Sequence, residues 1–388
     1  MLKKWKENMI RNLSETEDHK SLCDSFEFIN ERKLTDYVDF EVVVEENRAI
    51  TVLQLTDTQI VDSTQVREGR TLRNDQIEYW KPEHMHERCF DICRQVIEKT
   101  NPDLILITGD LVFGRCDDKG TSFLALIDFM EEFGIPWAPV FGNHDNESFM
   151  GADWQSKMLE NAANCLFKQR TLTGNGNYSV GITHNGELKR VFFMLDSNGS
   201  AFMSEQTIAN GHSRREAGFG RDQVKWYTDI ANKILGKFPN VKFTFAYHIQ
   251  PKIFEKAFEK YGWDANNPIN IDTCSNKSEG DFGYIGSGLR SAWDNNYAIF
   301  NGMKKLGVDS ILVGHEHYNS ASIVYDGVRF QYGQKSSSYD RVNFKMEDGS
   351  IVGQPGSFDS KGEQLIGGTV MKVSEKDGTI EAAYICYV

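Results

Sequence analysis

Two histidines flank a glutamate in Gly314-His315-Glu316-His317, and Gly142-Asn143-His144-Asp145 supplies an amide, an imidazole and a carboxylate in consecutive positions. Shorter signals of the same kind are Asp57-Thr58-Gln59, Gly109-Asp110 and His248. Imidazoles mixed with oxygen donors suit borderline divalent ions such as Mn, Fe, Co and Zn, whereas calcium takes all-oxygen shells. The candidates Asp57, Gln59, Asp110, Asn143, His144, His248, His315 and His317 are too many for one ion. Two ions roughly 3.5–4 Å apart and sharing a carboxylate would use them, and such a pair clamps the attacking and leaving oxygens of an in-line phosphoryl displacement. The bridging water would be acidified to a hydroxide nucleophile near neutral pH. A histidine is the natural source of the proton that the leaving alkoxide needs.

This chemistry requires distant segments to meet. Each cluster follows an apolar, strand-like run, at residues 51–55, 104–107, 138–141, 243–247 and 310–313. The carboxyl ends of strands are where ligands bind in an α/β sheet, so five strand ends can deliver these side chains to one pocket. Helical spacing appears at residues 83–100, 121–133 and 222–237, and strands alternating with helices imply a layered α/β core. Later the pattern changes. Asp326-Gly327 between the runs 321–325 and 328–332 is a hairpin signal, and residues 368–373 and 379–387 form a second pair, so the C-terminal part is expected to be antiparallel. Residues 1–36 read as a charge-rich peripheral extension before a domain of residues 37–388. The polar stretches 264–296 and 333–362 read as long loops and candidate substrate lids.

A net charge of -13 argues against a protein that tracks a nucleic-acid backbone over many phosphates. It leaves room for a small phosphorylated substrate, because bound cations reverse the field locally. The seven cysteines are scattered with no CxxC spacing, which excludes a zinc ribbon or a disulfide framework as the organising device. Cys89 and Cys93, four apart on a predicted helix, read as small core residues. No signal peptide or membrane-spanning run is seen, so the expected location is cytoplasmic and no membrane partner is expected.

At these residues the chain resembles the calcineurin-like metallophosphoesterases, nearest to the phosphatases related to purple acid phosphatases. That superfamily carries five blocks, DxH, GD, GNHD or GNHE, a lone His, and GHxH, and all five have counterparts here in order between about residues 50 and 332. The resemblance implies a four-layer α/β/β/α sandwich of two mixed β-sheets flanked by helices. It also implies a dinuclear centre of divalent or transition ions, Mn, Fe or Zn, with Mg allowed. By the same likeness Asp57, Gln59 and His317 fall on the first ion and Asn143, His248 and His315 on the second, with Asp110 bridging them. His144 takes the place of the general acid that faces the substrate, with Asp145 behind it. Asn143, His144 and Arg67 are the expected substrate contacts.

Two departures stand out. Gln59 occupies the place of the usual histidine, and a carboxamide oxygen is a weaker and harder donor than imidazole. Phe113 lies three residues after Asp110, where purple acid phosphatases carry a metal-bound tyrosine, so no purple ferric chromophore is expected. His84, His86, His19, His184 and His212 read as surface or capping residues, and Arg70 and Arg73 as part of a solvated basic run with Arg67. The expected activity is hydrolysis of a phosphate ester. A phosphodiesterase acting on a cyclic nucleotide or other small diester is the rival enzyme, and a scaffold with a degraded metal site is the non-catalytic rival.

Overall fold

The computed structural model describes residues 37–66, 71–199, 217–264, 268–286, 289, 292–339 and 365–388. Expectations for residues 1–36, His212, Arg67, Arg70 and most of the 333–362 stretch lie outside these residues. In chain order the strands begin with β1 (Phe40–Val43), β2 (Ile50–Leu55), β3 (Leu104–Thr108), β4 (Trp137–Val140), β5 (Tyr178–His184), β6 (Glu187–Met194) and β7 (Lys242–Ala246). They continue with β8 (Ile269–Asn270), β9 (Tyr284–Ile285), β10 (Val308–Val313), β11 (Ser322–Tyr325), β12 (Val328–Tyr332), β13 (Gly367–Val373) and β14 (Ile380–Tyr387). The helices are α1 (Asn74–Tyr79), α2 (Asp91–Thr100), α3 (Thr121–Glu131), α4 (Gly151–Asn161), α5 (Arg221–Lys237), α6 (Ile253–Glu259) and α7 (Ala298–Lys305).

Seven strands form one sheet in the order β1-β5-β6-β7-β10-β12-β11, and five form another in the order β14-β13-β2-β3-β4. Both are mixed. Strands β6, β7, β10 and β12 run parallel with β11 antiparallel at the edge, while β2, β3 and β4 run parallel, β13 lies antiparallel beside β2, and β14 lies antiparallel beside β13. Side chains alternate across a strand, so each central strand of the larger sheet feeds two apolar layers. Phe192, Met194, Ala246 and Leu312 join the cluster shared with the five-stranded sheet, whereas Val191, Phe193, Phe243, Phe245, Ile311 and Val313 join the cluster on the opposite face. Helices α2, α3 and α4 cover the outside of the five-stranded sheet through residues such as Val96, Phe123 and Trp154. Helices α5, α6 and α7 cover the outside of the larger one through Tyr227, Phe254 and Phe300. The result is the expected four-layer sandwich. Strands buried on both faces read as largely apolar runs, as in β2, where all six residues are buried and only Thr51 and Gln54 are polar.

Local chemistry sets the ends. Helix α2 stops where Asn101 turns left-handed at φ 43° and Pro102 follows. Its predicted start is different: residues 83–100 divide into a 3-10 turn Pro82–His84, a π turn His86–Phe90 and then α2. The buried Arg88 sits in the widened turn and donates to the carbonyl oxygens of Tyr79, Lys81 and Val61. Cys89 and Cys93 are buried core residues with their sulfurs 3.9 Å apart. At the β11–β12 hairpin Asp326 and Gly327 both have positive φ, 51° and 77°, as a two-residue type I′ turn requires. Within the stretch 264–296, β8 and β9 pair and Ile285 bridges to Asn319 just beyond the GHEH segment. Among the described residues no helix is long and apolar enough to cross a membrane.

Candidate metal centre

Asp57 and Gln59 follow β2, Asp110 follows β3, and Asn143 and His144 follow β4, all at one end of the five-stranded sheet. His248 follows β7, and His315 and His317 follow β10, at the matching end of the larger sheet. The backbone there is strained. Asp57, Gln59, Asp110 and His315 have φ of 51°, 36°, 52° and 77°, a left-handed conformation that costs an L-residue about 1–2 kcal/mol. Such conformations persist where the surroundings over-determine them. Here the amides of Asp57 and Gln59 donate to the carbonyls of Gly109 and Asp110, and Ser336 holds both the N–H and the carbonyl of Thr56.

Two motif glycines are explained by close approach. A Cβ on Gly142 would stand 2.2 Å from Asp110 Oδ1, and one on Gly314 would stand 2.1 Å from Thr56 Oγ1 and 2.8 Å from Asp57 Oδ2. No side chain fits where these carboxylates pass.

The carboxylates are the hub. Asp57 and Asp110 are each 1% exposed, and ligand atoms of Asp57, Asp110 and His317 lie within 4.8 Å of one another. His317 Nε2 is 3.3 Å from Asp57 Oδ1, and the His315 amide donates to Asp57 Oδ2 at 3.1 Å. Asp110 Oδ1 accepts from the His144 amide at 2.9 Å, while its Oδ2 accepts from Gln59 Nε2 at 2.6 Å and lies 3.3 Å from His248 Nε2. His248 Nδ1 meets the Thr108 carbonyl at 2.8 Å, which assigns the hydrogen to Nδ1 and leaves Nε2 as the inward donor. Of the sixteen buried side-chain polar atoms that lack a hydrogen-bond partner among the described residues, three lie here: Gln59 Oε1, Asn143 Oδ1 and His248 Nε2, the last with only its 3.3 Å ion-pair contact to Asp110. An unpaired buried polar atom is costly, and all three belong to the expected ligand set.

Electrostatics agree with a site made for cations. Burial alone would raise the Asp57 carboxyl, but His317 and His248 bring it below its ordinary value. Burial likewise opposes ionisation of Asp110, and the charges of His248 and His144 overcome it and hold the group far below the carboxylate range. Burial would lower His248, yet Asp110 beside it pushes the imidazole up to about 9. His315 goes the other way, to about 3, through burial and the neighbouring His248 charge. One histidine thus carries a proton in the place of a cation while its neighbour keeps a free lone pair.

The expected role of Asp145 needs correction. Its oxygens accept from the amides of Val112 at 3.0 Å and Gly142 at 2.6 Å, so it braces the turn and does not stand behind the His144 ring. The partner of His144 is Glu147, whose Oε2 lies 2.8 Å from Nδ1. The signal was present as His-x-x-Glu, because residues three apart on a helical turn meet while neighbours in sequence diverge. Phe113 packs against His144 with ring centroids 4.6 Å apart, and Tyr339 against His317 at 5.7 Å. Of the remaining histidines, His84 and His86 lie beside Glu87 and Asp91 near the surface. His184 is instead buried, with Nδ1 2.8 Å from the Val44 carbonyl. Arg73 is exposed and its amide meets Gln76 Oε1.

Comparison with known proteins places the chain in a family. An Arabidopsis thaliana protein named "Probable inactive purple acid phosphatase 28" is 47% identical over 68 residues, covering 16% of this chain and 17% of that protein. "Phosphatase DCR2" of Saccharomyces cerevisiae is 24% identical over 240 residues, 58% of this chain and 38% of its own length. The chain therefore spans less than half the length of these curated relatives. The crystal structure of a dimetal phosphatase from Danio rerio superposes with a TM-score of 0.50 at 12% identity, covering 88% of this chain and all of that one, a likeness of fold. A family model described as calcineurin-like phosphoesterase matches residues 50–319, more than half of the chain, and with the strand-end donors in place the protein belongs to the calcineurin-like phosphoesterase family.

Proposed function

We propose that the chain is a metal-dependent phosphoesterase whose substrate is a small phosphorylated molecule. The observation that carries this reading is the meeting of Gln59 Oε1 and Asn143 Oδ1, buried without a hydrogen-bond partner, and His248 Nε2, paired only with Asp110, at two ionised buried carboxylates. In this reading Asp57, Gln59 and His317 hold a first divalent ion, Asn143, His248 and His315 hold a second, and Asp110 is shared. Mn, Fe or Zn suits the mixed donors, with Mg allowed at the harder first position. Bound ions would supply an acidified water as nucleophile and neutralise the phosphoryl oxygens. His144 keeps the proton destined for the leaving oxygen, Asp145 fixes the turn that carries it, and Asn143 and His144 border the substrate.

Metal analysis coupled to hydrolysis tests the proposal. Purified protein titrated with Mn or Zn should take up about two equivalents and hydrolyse a chromogenic phosphate monoester. Faster turnover of the corresponding diester would move the assignment to a phosphodiesterase, and failure to bind either metal would favour the scaffold. Because His248 must lose its proton to bind an ion, apparent affinity should fall about tenfold per pH unit below about 9, with one proton released per molecule. An affinity independent of pH between 7 and 9 would remove His248 from the ligand set.

Gln59 makes a separate prediction. Its amide nitrogen is held by Asp110, which leaves only its oxygen as a donor. Gln59→His should tighten the weaker of the two binding steps by about tenfold or more and leave the tighter step unchanged, as read by calorimetry.

A further inference from the structure

We infer that Glu147 is the positioning residue for the proton donor, an inference that rests on the phosphoesterase reading with His144 as its acid. The 3-10 turn Asp145–Glu147 returns Glu147 to the His144 ring, and its side chain is 5% exposed. Both of its oxygens are engaged: Oε2 lies 2.8 Å from His144 Nδ1, and Oε1 accepts from Arg115 Nε at 2.8 Å. The rest of His144 is fixed as well. Its amide donates to Asp110, its carbonyl accepts from the amides of Gly114 and Glu147, and one side of its ring packs on Phe113. Among the described residues Nε2 has no partner, and the side chain is 27% exposed.

A carboxylate accepts and does not donate, so Nδ1 must carry a hydrogen in every state of the ring. The transferable proton is therefore confined to Nε2. When the bond from phosphorus to the leaving oxygen breaks, its electron pair stays on that oxygen, which takes the Nε2 proton. The ring ends as the neutral Nδ1–H tautomer, still donating to Glu147. The new bond to phosphorus comes from water, whose displaced proton passes to solvent. Without Glu147 the ring can hold the wrong tautomer or rotate away, and the loss falls only on the protonation of the leaving group.

That restriction is what the experiment reads. In metal-loaded Glu147→Gln, kcat for an alkyl phosphate should fall about 10²-fold, the lower range for a positioned acid, and kcat for 4-nitrophenyl phosphate, whose leaving group needs no proton, less than about threefold. KM and metal content should stay at wild-type values. Arg115→Gln, at a half-exposed position that tolerates change, should show the same dependence on leaving group with a smaller amplitude and serves if Glu147→Gln does not fold. An equal fall for both esters, or loss of metal, overturns the inference while the active wild type keeps the phosphoesterase reading. A metal-loaded wild type inactive on every ester sinks both.

Discussion

Asp110→Asn should empty the centre: metal uptake should drop from about two equivalents to less than one, and turnover by more than about 10³-fold. Losing even one neutral oxyanion donor costs enzymes ~10²–10³-fold, and in the proposed centre Asp110 would supply full charge to both positions. Its carboxylate holds Gln59 and the His144 amide and lies beside His248, so one isosteric change withdraws the charge that three donors are arranged around. His248 gives a second readout. With Asp110 neutral, burial acts on that ring with less opposition, and its titration should move from about 9 toward or below the ordinary histidine value. NMR of the metal-free variant follows this proton directly. Retention of two tightly bound ions would show that Asp110 is not the shared ligand, and an unmoved His248 titration that Asp110 does not hold the His248 proton.

His144→Ala should lower kcat for an alkyl phosphate, whose leaving group needs the proton, about 10²–10⁴-fold while metal content stays at the wild-type level. The imidazole pairs with Glu147 rather than with either buried aspartate, and the contact to Asp110 runs through the backbone amide, which alanine retains. Arg115 still pairs with Glu147 in the variant, so no buried carboxylate is abandoned and folding should survive. The decisive combination is kcat by steady-state assay and metal by mass spectrometry on the same sample. Loss of metal together with activity would make His144 a ligand.

The sequence carried the architecture because the strands that hold the candidate donors are buried on both faces and so advertise themselves as apolar runs. The ends of β2, β3, β4, β7 and β10 were all legible for that reason, and the glycines of the motifs mark the places where only a bare backbone passes a carboxylate. Pairings that depend on the third dimension were not legible. The family resemblance put Asp145 behind His144, but a side chain's neighbour along the chain points elsewhere, and the turn brings Glu147 round instead. The π turn at His86–Phe90 was hidden because its apolar spacing still looks helical over residues 83–100. The pairing of β13 with β2 joins residues more than three hundred positions apart, and no local pattern announces it.

That last pairing bears on how the molecule is made. The carboxylates at Asp57 and Asp110 leave the ribosome well before His248, His315 and His317, so a growing chain holds acidic groups whose counter-charges do not yet exist. Strand β2, which leads into Asp57, waits longer still, because its antiparallel neighbour β13 is made after all three of those histidines. Contacts this remote in sequence pay their loop-closure entropy before they return any stabilisation, which slows their formation. Completion of the smaller sheet, and with it a settled position for Asp57, therefore cannot precede the synthesis of β13, more than three hundred residues after β2.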